Sequence, residues 1–215
     1  QIPLQKLTSF HIGVDPADYF PRPIGLKKRA IGFVSRMCYE NGLDILVDAF
    51  IALKKREGFA DVSLVITGGA TGADTQYLNK IKTDIKKNHL TEQVVFHEEF
   101  SAEGLSAFYE KVTVISVPVR NGEAFGIYLL ESMASGVPVI QPALGAFPEI
   151  VTLSGGGVLY EPNEPAALTQ VLADTLSNPE LLLKLSLAGV KGVETSFDIS
   201  TQATKMVDYY EQFQE

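Results

Sequence analysis

The chain has 215 residues, of which 46% are hydrophobic, and a formal net charge of −8. This length and composition suit one globular domain with a sizeable core, and the negative charge argues against a general nucleic-acid binder, which must neutralise many phosphates. No apolar run approaches the roughly 20 residues that span a bilayer, and the first residues show no signal-peptide pattern, so we expect a soluble cytoplasmic protein.

The single cysteine and the three histidines bear on disulfide and metal chemistry. Cys38 has no second cysteine to pair with, and His11, His89 and His97 are scattered without the spacing of metal ligands. The sequence therefore predicts no disulfide framework, no metal centre and no bound cofactor.

Short apolar strands alternate with helical patterns along the chain. The predicted strands cover residues 30–35, 62–67, 94–96, 112–117, 137–141 and 157–160. The predicted helices cover residues 42–55, 76–87, 102–111, 125–134, 148–152, 164–177, 179–193 and 199–212. Continuous apolar strands that alternate with helices indicate a parallel sheet with helices on both faces, which is a doubly wound α/β domain.

Three candidate segments follow strands of this predicted sheet. Arg36 follows the first strand, Gly68 and Gly69 follow the second, and residues 123–126 follow the fourth. Ligands of doubly wound sheets bind beyond the carboxyl ends of the strands. We therefore expect these loops to converge on one crevice.

Two carboxylates, Glu123 and Glu131, lie on either side of a Phe-Gly turn that opens an apolar helix. The first turn of a helix offers N–H groups to an anion, because they have no acceptor inside the helix. Carboxylates accept strong hydrogen bonds from ligand hydroxyls. The segment is therefore predicted to bind a sugar nucleotide. Without the surrounding pattern, a capping acid and an exposed helix position would be the favoured interpretation of the two residues.

The order of these segments resembles the group 1 glycosyltransferases, the retaining enzymes of family 4 with the two-domain GT-B fold. Residues 11–21 resemble the family's Asn-Gly-Val-Asp…Phe-Pro segment, and residues 31–36 its Gly-Arg strand end. Residues 123–139 resemble its Glu, Phe-Gly, Glu, Gly-Val-Pro-Val block. The resemblance covers residues 9–213 and implies the Rossmann-like, nucleotide-sugar-binding C-terminal half of such an enzyme.

The resemblance also implies roles for individual residues. Glu123 would hold hydroxyls of the donor sugar at the catalytic centre, Glu131 would bind the ribose, and Arg36 would bind the diphosphate. Further donor-binding residues would be Ala124, Phe125, Gly126 and Ile127, and possible nucleotide-lining residues are Gly68, Gly69 and His97. By residue type alone, Arg36 is as readily a surface cation, and His97 is more readily a loop or core-edge residue.

The chain departs from the family at its second diphosphate cation. The usual lysine, five residues after the arginine, is Asn41 here, and asparagine brings no charge. Glu98 also stands where the family usually has a glycine. We expect weaker diphosphate binding unless Lys27, Lys28 or a residue outside this chain compensates.

The resemblance further implies a division of the chain and a set of partners. Residues 1–25 would be a linker from an N-terminal domain that this chain lacks, residues 26–196 the nucleotide-sugar-binding domain, and residues 197–215 a helix that packs toward the missing half. The partners would be a nucleoside-diphosphate sugar and, through the missing half, a glycan or lipid-linked acceptor, with no nucleic acid. The full-length retaining hexosyltransferase would be cytoplasmic or peripheral to a membrane, and the fragment alone inactive.

Two other functions compete with this interpretation. A catalytically degenerate GT-B half could act as a nucleotide-binding or scaffold module, which Asn41 favours. A flavodoxin-like or receiver domain has the same layer order, but a receiver needs acidic residues at the end of the first strand, where this chain has Ser35 and Arg36.

Overall fold

The computed structural model describes residues 7–21, 28–97 and 102–213, with the backbone alone at residues 102 and 103. These residues form a six-stranded parallel sheet in the order β3-β2-β1-β4-β5-β6. The strands are β1 (Ala30–Val34), β2 (Ser63–Thr67), β3 (Val94–His97), β4 (Val114–Ile115), β5 (Val139–Pro142) and β6 (Gly157–Tyr160). The predicted α/β fold class is confirmed.

Helices connect and cover the strands. They are α1 (Leu43–Lys54), α2 (Thr75–Lys87), α3 (Ala102–Lys111), α4 (Ile127–Ala134), α5 (Phe147–Ser154), α6 (Pro165–Leu176), α7 (Pro179–Ser196) and α8 (Ile199–Glu211). Helix α1 packs on α6, whereas α4 and α5 both pack on α7.

Strand β1 lies at the centre of the core, and all five of its residues are buried. Ile31 and Phe33 are completely enclosed, as a parallel strand with helices on both faces requires. A Cβ atom at Gly32 would lie 2.8 Å from the ring of Phe108. Glycine at this position therefore lets α3 pack closely against the strand.

Several predicted boundaries differ from the structure by two residues or more, and two of these differences have a clear local cause. The fourth strand was predicted over residues 112–117, but β4 is confined to Val114–Ile115. The N–H of Val117 donates to the side chain of Gln141 instead of to a strand carbonyl, at 3.1 Å. The fourth helix was predicted from residue 125 but begins at Ile127, because Gly126 has a φ of 81° and stands at the helix start in the left-handed region.

The described part of the predicted linker packs against the corner between α7 and α8. The N–H of Val14 donates to the carbonyl of Phe197, and the N–H of Ile199 donates to the carbonyl of Val14, both at 2.9 Å. Val14 and Phe197 are buried in the core. Helix α8 begins directly after this corner and buries only Gln202. Residues 1–6 and 22–27, which include Lys27, lie outside the described residues.

Two glycines with similar backbone angles are expected to differ in their tolerance of alanine. Gly42 has a φ of 69°, and a Cβ there would lie 2.0 Å from the carbonyl oxygen of Pro118, whereas Gly58 has a φ of 85° and open space around it. Gly58→Ala should therefore cost only the left-handed strain of about 1 kcal/mol. Gly42→Ala should cost roughly 1–3 kcal/mol more, because the added methyl forces two loops apart.

Urea unfolding of both variants, followed by circular dichroism, measures this difference. Equal losses of unfolding free energy would show that the contact between Gly42 and Pro118 is not tight.

Candidate functional site

The candidate site lies at the carboxyl edge of the sheet, where the strand order reverses between β1 and β4. In doubly wound sheets, the loops that follow two such strands run to opposite sides, and the space between them is the usual ligand position. The predicted residues Arg36 and Glu123 follow β1 and β4 respectively. Their placement at this edge follows from the sheet order.

The loops after β1 and β2 are in direct backbone contact. A Cβ atom at Gly68 would lie 1.9 Å from the carbonyl oxygen of Ser35, so only glycine allows this approach. The carbonyl of Gly69 accepts a hydrogen bond from the N–H of Met37 at 2.8 Å. The structure thus brings Gly68 and Gly69 beside the turn that carries Arg36.

Arg36 forms an ion pair with a residue that the sequence analysis missed. Its Nη2 lies 3.2 Å from both carboxylate oxygens of Asp74 and 3.3 Å from the hydroxyl of Thr71. The Arg36 side chain is 53% exposed and that of Asp74 only 9%. Hydrogen bonds from Thr71 first, and from Arg36 second, lower the pKa of Asp74. The signal in the sequence was the Thr-x-x-Asp spacing of a capping box.

The structure gives Arg36 no direct contact with Glu123 or Glu131 among the described residues. Its guanidinium is held at the β2 side of the edge, against Asp74. If Arg36 binds a diphosphate, as the sequence analysis expects, the guanidinium and the two carboxylates would contact different parts of one ligand and not each other.

Asn41, the departure from the family's lysine, stabilises the turn after β1. Its side-chain amide donates to the hydroxyl of Ser35 at 2.8 Å and to the carbonyl of Arg36 at 2.9 Å. The side chain therefore fixes the backbone that carries Arg36. It contributes order to the site in place of charge.

Glu123 lies on a loop that the segment before α5 holds from one side. Its carbonyl accepts a hydrogen bond from the N–H of Ala146 at 3.0 Å. A Cβ atom at Gly145 would lie 2.4 Å from that same carbonyl oxygen. The carboxylate folds back and accepts from the N–H of Ala124 at 3.0 Å. The backbone of Glu123 is thus clamped, while its side chain binds only its own loop in these described contacts.

The residues between Glu123 and α4 form the turn that the sequence analysis predicted. The ring of Phe125 packs edge-on against Phe197, with ring centroids 6.4 Å apart. Gly126 provides the left-handed residue at the start of α4, and Ile127 is 45% exposed. The first N–H groups of a helix have no acceptor further back in that helix, and α4 begins directly after this turn.

Glu131 lies in the second turn of α4 and is held by tyrosines. The hydroxyl of Tyr109 donates to its Oε2 at 3.2 Å, and Tyr19 from the N-terminal segment also bonds to it. Burial raises the pKa of Glu131, and the two tyrosine hydrogen bonds oppose this shift. Burial first, and the charge of Glu131 second, raise the pKa of Tyr19 to about 12. The carboxylate is therefore partly desolvated and fixed in direction.

Arg120 is a second cation at this edge that the sequence analysis did not select. Its Nη2 lies 2.6 Å from Asp44, its Nη1 donates to the carbonyl of Tyr39, and its guanidinium stacks 3.7 Å from the centroid of the Tyr39 ring. The hydroxyl of Tyr77 also donates to Asp44, at 2.8 Å. Burial would raise the pKa of Asp44, but the bonds from Arg120 and Tyr77 outweigh it and lower the pKa. Arg120 therefore fastens the loop of Glu123 to α1.

His97 ends β3, on the outer side of the sheet from the β1–β4 reversal. Its Nε2 lies 3.4 Å from Nζ of Lys111, and its carbonyl accepts from the hydroxyl of Thr67 at 3.1 Å. It lies at the same carboxyl edge of the sheet, but strands β2 and β1 separate it from β4. Glu98 lies outside the described residues.

The described residues also bear on metal binding and on membrane insertion. Within residues 7–21, 28–97 and 102–213, no three histidine, cysteine, aspartate or glutamate side chains are grouped so that they could hold a metal ion. Among the helices of these same ranges, none has both the length and the apolar character that crossing a bilayer requires.

Comparison with known proteins gives a family match over most of the chain. The family model described as "Glycosyl transferases group 1" matches residues 16–191. A lipopolysaccharide core biosynthesis mannosyltransferase, LpsB, from Rhizobium meliloti is 28% identical over 93% of this chain and 53% of its own length. The chain thus spans about half the length of this curated relative.

Solved structures share the fold. The C-terminal domain of a glycosyl transferase group 1 family protein, LpcC, from Francisella tularensis is 25% identical, with a TM-score of 0.77 over 87% of this chain and 100% of that domain. Alr3699/HepE from Anabaena, solved in complex with UDP and glucose, is 19% identical, with a TM-score of 0.81 over 94% of this chain and 56% of its own.

The raised pKa of Glu131 predicts a pH-dependent difference between the wild type and Glu131→Gln. Between the ordinary pKa of 4.5 and the raised pKa of the folded state, Glu131 keeps a proton in the folded chain that the unfolded chain has released. This proton stabilises the fold at low pH, and its contribution is lost as the pH rises through the folded-state pKa.

Urea unfolding at intervals between about pH 4 and pH 7 should therefore show the wild type losing stability relative to the glutamine variant. Glu180→Gln, at the exposed start of α7, is the matched control for loss of a carboxylate. A difference that is constant, or that grows in favour of the wild type, would contradict the partly desolvated state of Glu131.

Proposed function

Because the chain belongs to the group 1 glycosyltransferase family, we propose that it is the C-terminal, donor-binding half of a retaining family 4 enzyme with the GT-B fold. That enzyme would transfer a sugar from a nucleoside diphosphate to an acceptor in glycan or polysaccharide synthesis. The observation that carries the proposal is the pair of carboxylates on either side of the start of α4. Glu123 is clamped through its backbone, and Glu131 is oriented by Tyr109.

Glu131 is proposed to bind the ribose hydroxyls of the donor. Tyr109 occupies its Oε2 from one side, which fixes the direction of the carboxylate before a ligand arrives. Partial burial strengthens the hydrogen bonds that the carboxylate accepts, since water competes less for it. A diol that donates two hydrogen bonds suits an oriented carboxylate of this kind.

Glu123 and the start of α4 are proposed to bind the donor sugar and the adjoining phosphate. The N–H of Ala124 is now bound by the carboxylate of Glu123 itself. Rotation of that side chain toward sugar hydroxyls would release this N–H. It could then bind an anionic oxygen beside the N–H groups of Phe125, Gly126 and Ile127. The same loop would thus serve sugar and phosphate together.

Arg36 is proposed to stabilise the negative charge that develops on the leaving diphosphate. Its contacts with Asp74 and Thr71 all use Nη2. The remaining donors of this half-exposed guanidinium can therefore bind phosphate oxygens, and a planar fork suits such oxygens well. Donors held in place before the reaction lower the barrier, because they need no reorganisation as charge develops. In this proposal Arg36 and the helix N–H groups supply the positive charge, and no metal ion is required.

The acceptor is proposed to bind through a second domain. The chain spans about half the length of LpsB, which leaves room in such an enzyme for an acceptor-binding half. The outer surface of α8 carries exposed Met206, Val207 and Tyr210, which could pack toward that half. A glycan or lipid-linked acceptor, at a membrane surface in the latter case, fits this division of roles.

Gly68, Gly69 and His97 would line the nucleotide.

A nucleotide-binding scaffold without transferase activity is the second candidate. It is favoured by Asn41, whose side chain bonds to the turn at Ser35 and Arg36 and brings no charge to the diphosphate. The two candidates share the binding site and differ in whether a sugar is transferred.

Calorimetric titration of the 215-residue chain with UDP, UDP-glucose, GDP and GDP-mannose tests the proposed site. We expect weak binding of the nucleotides of one base. Glu131→Ala should weaken that binding about 10- to 100-fold, because it removes hydrogen bonds to a charged acceptor. Glu180→Ala, which removes a carboxylate from the exposed start of α7, should leave it unchanged.

The outcomes separate the candidates. No binding of any of the four nucleotides, or equal affinity of Glu131→Ala and wild type, would contradict the proposed site. Binding without sugar transfer by the full-length protein would favour the scaffold. Transfer by the 215 residues alone would refute the need for a second domain.

A further inference from the structure

The hydroxyl of Tyr128 is one of four buried side-chain polar atoms that have no hydrogen-bond partner in the described part of the chain, and the others belong to Gln93, Ser116 and Gln141. Tyr128 is the second residue of α4 and is 9% exposed. Its hydroxyl oxygen is shielded from solvent and has no hydrogen-bond partner in the described part of the chain. A buried hydroxyl without a partner destabilises the fold and is rare in native proteins, so it calls for an explanation.

Other buried tyrosines of the domain do have partners. The hydroxyl of Tyr109 donates to Glu131, and that of Tyr160 donates to Asn163 at 3.0 Å. Each of these two buried phenols thus has an acceptor within the chain. The hydroxyl of Tyr128, unlike those of Tyr109 and Tyr160, has no acceptor in the described part of the chain.

The ring of Tyr128 lies beside the side chain of Glu123. A Cβ atom at Gly126 would lie 3.1 Å from Cγ of Glu123 and 3.3 and 3.4 Å from Cε1 and Cζ of Tyr128. The hydroxyl-bearing end of the ring and the stem of the glutamate thus both border the space where Gly126 has no side chain. Burial first, and the charge of Glu123 second, raise the pKa of Tyr128 well above its usual value, which keeps the phenol protonated as a donor.

The carboxylate of Glu123 does not accept a hydrogen bond from this donor. It binds the N–H of Ala124 on its own loop. The proposed function assigns that N–H to the donor phosphate, so the carboxylate must leave it when the ligand binds. The phenol of Tyr128, whose ring borders the same space at Gly126 as the stem of Glu123, is a buried donor without an acceptor in the described part of the chain.

We propose that Tyr128 is a positioning residue for Glu123: when a nucleoside-diphosphate sugar is bound, the Tyr128 hydroxyl donates to the Glu123 carboxylate and fixes it toward the sugar hydroxyls. This inference rests on the proposed function, because it assumes that Glu123 contacts the sugar. One carboxylate oxygen accepts from the phenol and the other from the sugar. The bond also removes the cost of the unpartnered hydroxyl, so ligand binding and side-chain rotation favour each other.

Tyr128→Phe tests this role, since it removes only the hydroxyl. We expect unchanged or slightly higher thermal stability, because a buried unpartnered group disappears. Affinity for UDP or GDP should stay within about twofold of wild type, whereas affinity for the matching UDP-glucose or GDP-mannose should fall about 3- to 10-fold. Calorimetry with each pair, and melting curves of the same samples, give these values.

Two further variants make the test specific. Tyr109→Phe removes the other buried tyrosine hydroxyl of this site, and it should weaken the nucleoside diphosphate and its sugar derivative by the same factor, since Tyr109 orients Glu131. In a Glu123→Gln background, Tyr128→Phe should have a much smaller effect than in wild type, because both changes disturb one interaction.

Each result either supports or overturns the inference. If wild type binds the sugar nucleotide, loses affinity with Glu123→Gln and is unaffected by Tyr128→Phe, the inference is wrong and the proposed function stands. A full effect of Tyr128→Phe in the Glu123→Gln background would overturn action through Glu123. If wild type binds no sugar nucleotide, or Glu123→Gln has no effect, the sugar-binding role of Glu123 fails and the inference falls with it.

Discussion

Backbone contact between loops at the carboxyl edge of the sheet is the constraint on which the rest of the site depends. Gly68 lies against Ser35, and Gly145 lies against Glu123, at distances that leave no room for a Cβ atom. Loops that touch through their backbones cannot shift independently, because the interior is close-packed and side chains cannot rearrange to fill a gap. The functional side chains therefore project from one rigid edge instead of from separate mobile loops.

The charged groups at this edge are engaged before any ligand arrives. Arg36 is paired with Asp74, Arg120 with Asp44, and Glu131 with Tyr109. These bonds orient the side chains, and they also mean that a ligand shares or replaces existing partners. Glu123 differs, since its carboxylate is bonded only to the N–H next to it in the described contacts. Under the proposed function, the site is thus fixed where the diphosphate and the ribose would bind and adjustable where the sugar would bind.

The apolar pattern of the sequence was sufficient to predict the fold. The strand at residues 30–34 and the helix at residues 102–111 were predicted within a residue of their observed bounds. A strand that is buried on both faces reads as a continuous apolar run, and a helix that is buried along one stripe shows a helical period. The start of α4 was predicted too early, since the left-handed Gly126 interrupts a segment whose side chains are apolar. The cation Arg120 was missed because its partner Asp44 is distant in sequence and a single arginine in a loop gives no periodic signal.

The sequence by itself determined the α/β class, the order of its elements and the placement of Glu123 and Glu131 on either side of a helix start, because these depend on local propensity and on periodic burial. Only the tertiary structure decided which groups meet across the sheet edge. It paired Arg36 with Asp74, directed Asn41 onto the backbone and placed the unpartnered Tyr128 beside Glu123. Such pairings depend on how closely separate loops approach one another, and that distance is set by the packing of the whole domain.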